Sequence, residues 1–492
     1  MKFIKYIVPF LLLGVISCQE FEDFNTNPNA PTDVQPSVLF PSAIRQSINV
    51  TTEESFLLGN NAAQLTAKTL RTEIDDYNWN AFPTVWEGLY ESITDIRQVE
   101  KLAIENENDV LLGAAVAFRS WIFSVLTNAY GDIPYTEAVN VNDVNFTPTY
   151  DQQSVIIPDI LDELARADQL ISSGNGSIDG DILFGGSAMQ WRKFTNSLRL
   201  RLLMRANNQI DDAGNRFANI VANQPIMESN ADGAVLDYLS DFANQFPLLP
   251  IKDGDFAAVA LSQSSYNVLS ATNDPRLSRY ARPDNNDYEN PTFTGAENGA
   301  GSGACNKTGS ALGAKYYNDP NTTQASELGI EIANGIIMTY AELEFTLAEA
   351  AAKGWISDDI EPHYRAGIEA SMDYYDVNYE PFGYTNFEDY YTNSGIAYSG
   401  ETTEIWEQKW LAMFFTGLEP YFEVRRWYAE SGMDFSGIPF LSTPCQDRNN
   451  GELPMKFLYP GEEQSLNQEN YNAAIDAIGG SNSINVPIWL VQ

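Results

Sequence analysis

Histidine is all but missing from these 492 residues: His363 is the single copy. One imidazole cannot build a multi-histidine zinc site, and any Ser-His-Asp relay would have to run through it. Its place inside a helical pattern reads as an ordinary helix-surface histidine. Positive charge is scarce too, with 28 lysines and arginines against 67 aspartates and glutamates and a net charge of −39. Such a chain repels phosphate backbones, so nucleic acid is excluded as a partner. The acidity reads as a solubilising surface for a salty or crowded exterior. Cysteine occurs three times, as Cys18, Cys305 and Cys445.

The N-terminus is short of apolar length. The run Ile7 to Ile16, behind Lys2 and Lys5, is about ten residues long, too few for a permanent bilayer-spanning helix. Ending in Val15-Ile16-Ser17-Cys18, it reads as an export signal over residues 1–17. Aliphatic and small residues before a cysteine at the cut are the bacterial lipobox. The Cys18 thiol would carry the diacylglyceryl group and anchor the mature chain to a membrane. Residues 18–36, with Asn25-Thr26-Asn27-Pro28-Asn29-Ala30-Pro31, hold no helical or strand period and read as a tether.

What the chain has in quantity is helical periodicity. At 44% hydrophobic content it can bury a large core, and length alone allows about two to three domains. In Ile336 to Trp355, Tyr340, Leu343, Leu347 and Ala351 form one apolar row, and Ala341, Phe345, Ala348 and Ala352 a second. This predicts a broadly buried helix with Glu342 and Glu349 on its wet side, stopped at Gly354 with Trp355 folding back. A second helix follows, capped within Ser357-Asp358-Asp359 and striped by Tyr364, Ile368, Met372 and Tyr375. Such hairpins are the unit of stacked helical repeats. Further helical patterns run from Ser37 to about Asn208 and from Thr403 to Tyr428, placing Trp86, Trp121, Trp406 and Trp410 in the core. Arg192, Lys193, Arg199, Arg201 and Arg205 read as internal ion-pair partners.

Periodicity fades from about 230 to 334, where Gly, Asn, Asp and Ser crowd in. Cys305 lies here and Cys445 in a second loop-rich stretch; in an oxidising exterior the two could bond, although sequence does not show their separation. Asp284-Asn285-Asn286-Asp287 lacks EF-hand spacing; a structural calcium ion on these acidic loops is a secondary expectation, and no other cofactor or metal is expected.

In order along the chain stand Asn27-Pro28-Asn29, Tyr130-Gly131-Asp132-Ile133-Pro134-Tyr135, Trp191 to Arg205 and Asn273-Asp274-Pro275-Arg276-Leu277. The Ile337 to Trp355 helix, Gln408-Lys409-Trp410, Gly417, Arg425-Arg426-Trp427 and Tyr459-Pro460 with Glu463 and Asn467 complete the set. Together these resemble the SusD/RagB family of outer-membrane nutrient-binding lipoproteins of Bacteroidetes. Lys456 departs from the pattern, since arginine is expected there. The resemblance implies a mostly α fold, tetratricopeptide-like helix pairs packed against an irregular, loop-rich ligand-binding portion. It implies a single domain over 37–492, with scaffold at about 37–229 and 335–430 and ligand-face segments at about 230–334, 376–400 and 431–465. It implies a lipid-anchored protein at the outer membrane, facing the exterior, that binds oligosaccharide without catalysis. Its implied partner is a SusC-type TonB-dependent transporter over which it closes as a lid.

Sugar rings offer apolar C–H faces and peripheral hydroxyls, so their sites pair aromatic platforms with polar side chains. Within Arg71 to Asn80 no helical period claims Trp79 or Tyr77 for the core. The resemblance implies a starch-binding arc drawn from residues just ahead of the Trp86-Glu87-Gly88-Leu89-Tyr90 helix and from the central irregular region, so Trp79 is the expected platform, beside Tyr77, with Arg71, Asp75 and Asn78 as hydroxyl partners. The other reading of Trp79 is a plug between helices. Tyr288, Phe293 and Tyr316 are further candidates in the irregular region. Three rival functions remain: RagB-like capture of oligopeptides, a glycosidase built on two carboxylates, and a purely structural repeat scaffold.

Overall fold

The structure, a computed structural model, describes residues 35–139, 145–239, 244–248, 253–301, 303–313, 316 and 333–492. The signal at 1–17, Cys18 and the tether as far as 34 lie outside the described residues. The scaffold helices are α1 (Pro36–Glu54), α2 (Pro83–Glu105), α3 (Asp109–Tyr130), α4 (Gln153–Ser173), α5 (Ala188–Arg205) and α6 (Ala213–Asn223). They continue as α7 (Tyr340–Ala352), α8 (Ile360–Tyr374), α9 (Thr402–Ala412) and α10 (Glu419–Glu430). Sequence neighbours pack in succession from α1 to α6; α7 joins the stack against α5 and pairs with α8, and α9 packs on both. The fold is mostly α, with tetratricopeptide-like helix pairs.

Local chemistry sets the ends. Asn108 accepts the Leu111 N–H at 3.0 Å and starts α3. That helix is long and apolar enough to cross a membrane, yet it is 94% buried among its neighbours. Burial on all sides accounts for its all-round hydrophobicity. On α7, Thr339 accepts from the Glu342 N–H. At the other end Gly354 takes φ +70°. The N–H of Trp355 bonds Ala350 O and that of Gly354 bonds Ala351 O, both at 2.9 Å, so the expected stop is a Schellman turn. Trp355 then packs on Phe217, ring centroids 5.5 Å apart. The α7–α8 seam buries Ala341, Phe345 and Ala348 against Tyr364, Ile368 and Met372.

Glu342 and Glu349 correct the sequence reading. Both are buried, because α7 is enclosed on the side expected to be wet. Glu342 takes a two-pronged ion pair from Arg201 of α5, at 2.6 and 2.7 Å. Glu349 binds Lys409 of α9 at 3.1 Å and Arg426 of α10 at 2.7 Å. Glu423 of α10 sits at the centre, holding Lys409, Arg426 and Arg205 at 2.8–2.9 Å. Four helices are thereby joined through buried charge. The basic residues of α5 are internal partners as read, Arg192 with Asp168 and Lys193 with Asp232 included; Arg199 bonds the Asn196 amide instead.

After α1 the chain makes a π-helical turn, Ser55–Gly59. A Cβ on Gly59 would stand 2.1 Å from the carbonyl oxygen of Gly417, between α9 and α10. The obstacle is backbone and cannot rotate away. Gly59→Ala is expected to lower stability by about 1–3 kcal/mol, read as a lower guanidinium midpoint; an unmoved midpoint would contradict this close approach.

The irregular portion is stitched by short strands: β1 (Thr66–Lys68) with β3 (Val259–Leu261), and β2 (Ala234–Leu236) with β4 (Gly335–Met338), both antiparallel. Cys305 and Cys445 are bonded, Cα atoms 6.1 Å apart, and join two loops 140 residues apart in sequence.

Candidate functional site

The stretch 71–80 folds back on itself. The Trp79 indole N–H donates to Ile74 O at 2.9 Å, and its ring lies edge-on among Tyr77, Phe82, Tyr421 and Phe457, centroids 5.2–6.5 Å away. Only 5% of Trp79 and 1% of Tyr77 reaches solvent. The platform expectation is corrected: neither ring has a face to offer, because the helix ends and the 457 segment enclose them. Asp75 is fully buried, accepting from Lys68 N and from Asn298 Nδ2 at 3.1 Å. Burial pushes its carboxyl up to about 7, and it pins this loop to the 295–301 loop rather than meeting a ligand. Arg71 and Asn78 are exposed; Arg71 makes a long contact of 3.9 Å to Asp255. Tyr316 is also corrected, since it is stacked beneath Phe415 at 4.0 Å and 2% exposed. Tyr288 is half-buried.

Phe293, among these candidates, lines a cavity. The cleft measures about 670 Å³, within the range of small-ligand sites. Three segments build it. A short helix, Gln263–Ala271, starts where Ser262 Oγ accepts the Ser265 N–H and presents Tyr266 and Ser270. Behind it Arg276 grips both Asp274 oxygens, at 3.1 and 2.7 Å, and reaches Gln408 of α9 at 2.6 Å. That buried knot fixes Asn273 and Leu277 on the cleft wall. The second segment carries Thr292 and Phe293, held because Asp284 N bonds Thr292 O, Ser310 N bonds Thr294 O, and the Ser310 and Thr294 hydroxyls bond the Asp284 carboxylate. The third is a tight turn over 379–384 carrying Pro381 and Phe382, closed at Gly383 (φ +90°). The Tyr384 hydroxyl ties it to Thr272 O at 2.8 Å.

Phe293 and Phe382 lie nearly parallel, planes 16° apart and centroids 6.4 Å apart. Around this apolar strip stand Tyr266, Ser270, Asn273 and Thr292. Half-buried Phe382 offers a ring face to C–H surfaces, backed by Phe293, which is only 9% exposed, and the amide and hydroxyl groups can meet peripheral oxygens. None of the described lining residues is Asp, Glu, His, Cys, Lys or Arg. A family model described as starch-binding associating with outer membrane matches residues 28–460.

The chain belongs to this SusD-like family.

Solved structures agree with the assignment. An outer membrane protein of Bacteroides vulgatus ATCC 8482, described in connection with nutrient binding, is 27% identical with a TM-score of 0.78, over 93% of this chain and 100% of that one. A SusD homologue from Bacteroides fragilis NCTC 9343 is 25% identical with a TM-score of 0.75, covering 94% and 100%. A chitin-binding SusD homologue from Flavobacterium johnsoniae shares the fold at 18% identity and a TM-score of 0.72, covering 93% and 98%. No curated protein sequence matches.

In this SusD-like chain the sequence reading missed Tyr266, Asn273 and Phe382 as cleft residues. A signal existed for Phe382. Tyr379-Glu380-Pro381-Phe382-Gly383-Tyr384 is aromatic-rich without a helical period, inside a segment assigned to the ligand face. A second cavity of about 410 Å³ lies between Tyr130–Asp132, the start of α4 and the C-terminal residues. It contains Lys456, the departure from the family pattern, whose amine burial pushes down to about 7 while it bonds Asn482 and sits over the Tyr459 ring.

Proposed function

We propose that the protein captures oligosaccharide in the Phe293–Phe382 cleft, at the outer face of the outer membrane, without catalysis. It would hang there from lipid on Cys18 and deliver its cargo to a SusC-type TonB-dependent transporter that it covers as a lid. The carrying observation is the pair of near-parallel phenylalanines in an uncharged polar wall, in the irregular part of the fold. The family's description as starch-binding and outer-membrane-associated supports the same reading. A glycosidase would need a carboxylate pair facing the bound sugar, and the described lining supplies no carboxylate. Calcium stays a secondary proposal: Asp284 and Asp287 accept hydrogen bonds from their own loop.

Phe382 is half-buried at the tip of its turn, so truncation removes a ring face and little core. Phe382→Ala is expected to weaken retention on glycan affinity gels by about two- to tenfold, the scale of one lost stacking contact of roughly 0.5–1.5 kcal/mol, with an unchanged melting temperature. Undiminished retention would refute the cleft as the capture site. Thermal-shift screening against oligopeptide pools tests the RagB-like alternative, which a shift with peptide and none with glycan would favour.

A further inference from the structure

We infer that the cleft selects neutral glycans and turns away those bearing uronate or sulfate groups. The inference rests on the capture reading above and names the class of cargo within it. A site for an acidic sugar places a guanidinium or ammonium where the anion lands, because desolvating an unpaired carboxylate or sulfate is costly. Here the described wall is made of Phe293, Phe382, Tyr266, Asn273, Ser270 and Thr292, with Leu277 and two prolines filling in, and carries no formal charge.

The rim points the same way. Glu289 stands two residues before Pro291 and is exposed, and so is Glu380, beside Pro381. Asp284 and Asp287 hold the loop that presents Phe293. Among the described residues, Arg276 is buried behind the wall in its pair with Asp274, and Arg279 and Arg282 are both close enough to act on the Tyr288 hydroxyl. Arg279 donates to the Asp376 carbonyl and pairs with its carboxylate, which occupies its charge. None of the three arginines lines the cleft. The total charge of −39 acts only weakly at a distance, since the screening length is about 8 Å at physiological salt. Glu289 and Glu380, exposed and within two residues of wall prolines, give an arriving anion no counter-charge there. Phenylalanine platforms add selection of their own. They reward apolar ring faces and offer no hydrogen bond to a charged substituent.

The test uses the whole mature protein in titration calorimetry at 50 and 500 mM NaCl. Probes are neutral hexasaccharides (malto-, cello-, xylo- and chito-oligosaccharides), with hexagalacturonate and a sulfated hexasaccharide as the acidic set. At least one neutral probe should bind with a Kd that salt leaves within about twofold, and the acidic probes should bind about tenfold or more weaker. Phe382→Ala should weaken the neutral binding by about two- to tenfold. Thr292→Lys, at an exposed wall position, should gain hexagalacturonate binding that weakens with salt. Acidic probes binding as well as neutral ones, and weakened alike in Phe382→Ala, would overturn the neutral selection while leaving the cleft reading intact. Neutral binding unaffected by Phe382→Ala would overturn the cleft reading instead. Binding to no probe of either set would overturn both.

Discussion

Glu423→Ala should cost about 3–5 kcal/mol of folding stability, the toll for breaking a buried ion pair from one side. Glu423 is 1% exposed and is the hub through which Lys409, Arg426 and Arg205 find a counter-charge. Its removal leaves three buried cations competing for Glu349 and Glu419. Those cations also hold the Glu423 carboxyl well below the ordinary carboxylate range, although burial alone would raise it. The sign of the pH dependence follows. A depressed carboxylate contributes its stability above the unfolded value of about 4.5 and loses it as pH falls through the lower folded value. The difference between wild type and Glu423→Gln in denaturant midpoint should therefore be full at pH 7 and shrink only below about pH 4.5. A midpoint unmoved by Glu423→Ala at pH 7 would mean that the helices do not depend on this junction.

Trp79→Ala carries the second large effect, about 3–5 kcal/mol for emptying a buried indole site. Four aromatic rings contact the indole edge-on and its N–H is bonded, so the neighbours cannot close the space without moving Tyr421 on α10 and Phe457. Melting temperature and urea midpoint should fall together. Glycan binding by the remaining folded protein should match wild type, because Trp79 does not line the cleft. The opposite pattern, intact stability with lost glycan binding, would restore Trp79 as a sugar platform.

Those two residues show where reading the chain succeeds and where it stops. The α7 stop at Gly354 was legible because it needs only a left-handed residue and a following apolar one. The apolar rows of α7 and α8 were legible for the same kind of reason, a period of 3.6. The burial of Glu342 and Glu349 was not. A charge on a helix reads as solvated unless its partner is known, and the partners come from α5, α9 and α10, far along the chain. The surplus of arginine in α5 was the visible half of that arrangement. For Trp79, the absence of helical period is compatible with a sugar platform and with a plug between helices, and the burial of its ring decides for the plug. Phe293 was named and Phe382 was not, although the two face one another across 89 residues of chain; nothing in either stretch marks the other as its neighbour.

By itself, then, the order of residues decided the helical scaffold, its hairpin boundaries and the poverty of histidine and positive charge. These follow from local periodicity, capping and composition, which act over a few residues. The tertiary structure alone decided which charges are internal, which aromatics are core and where a ligand can enter. Each of those depends on what lies opposite a side chain, and segments remote in sequence supply it.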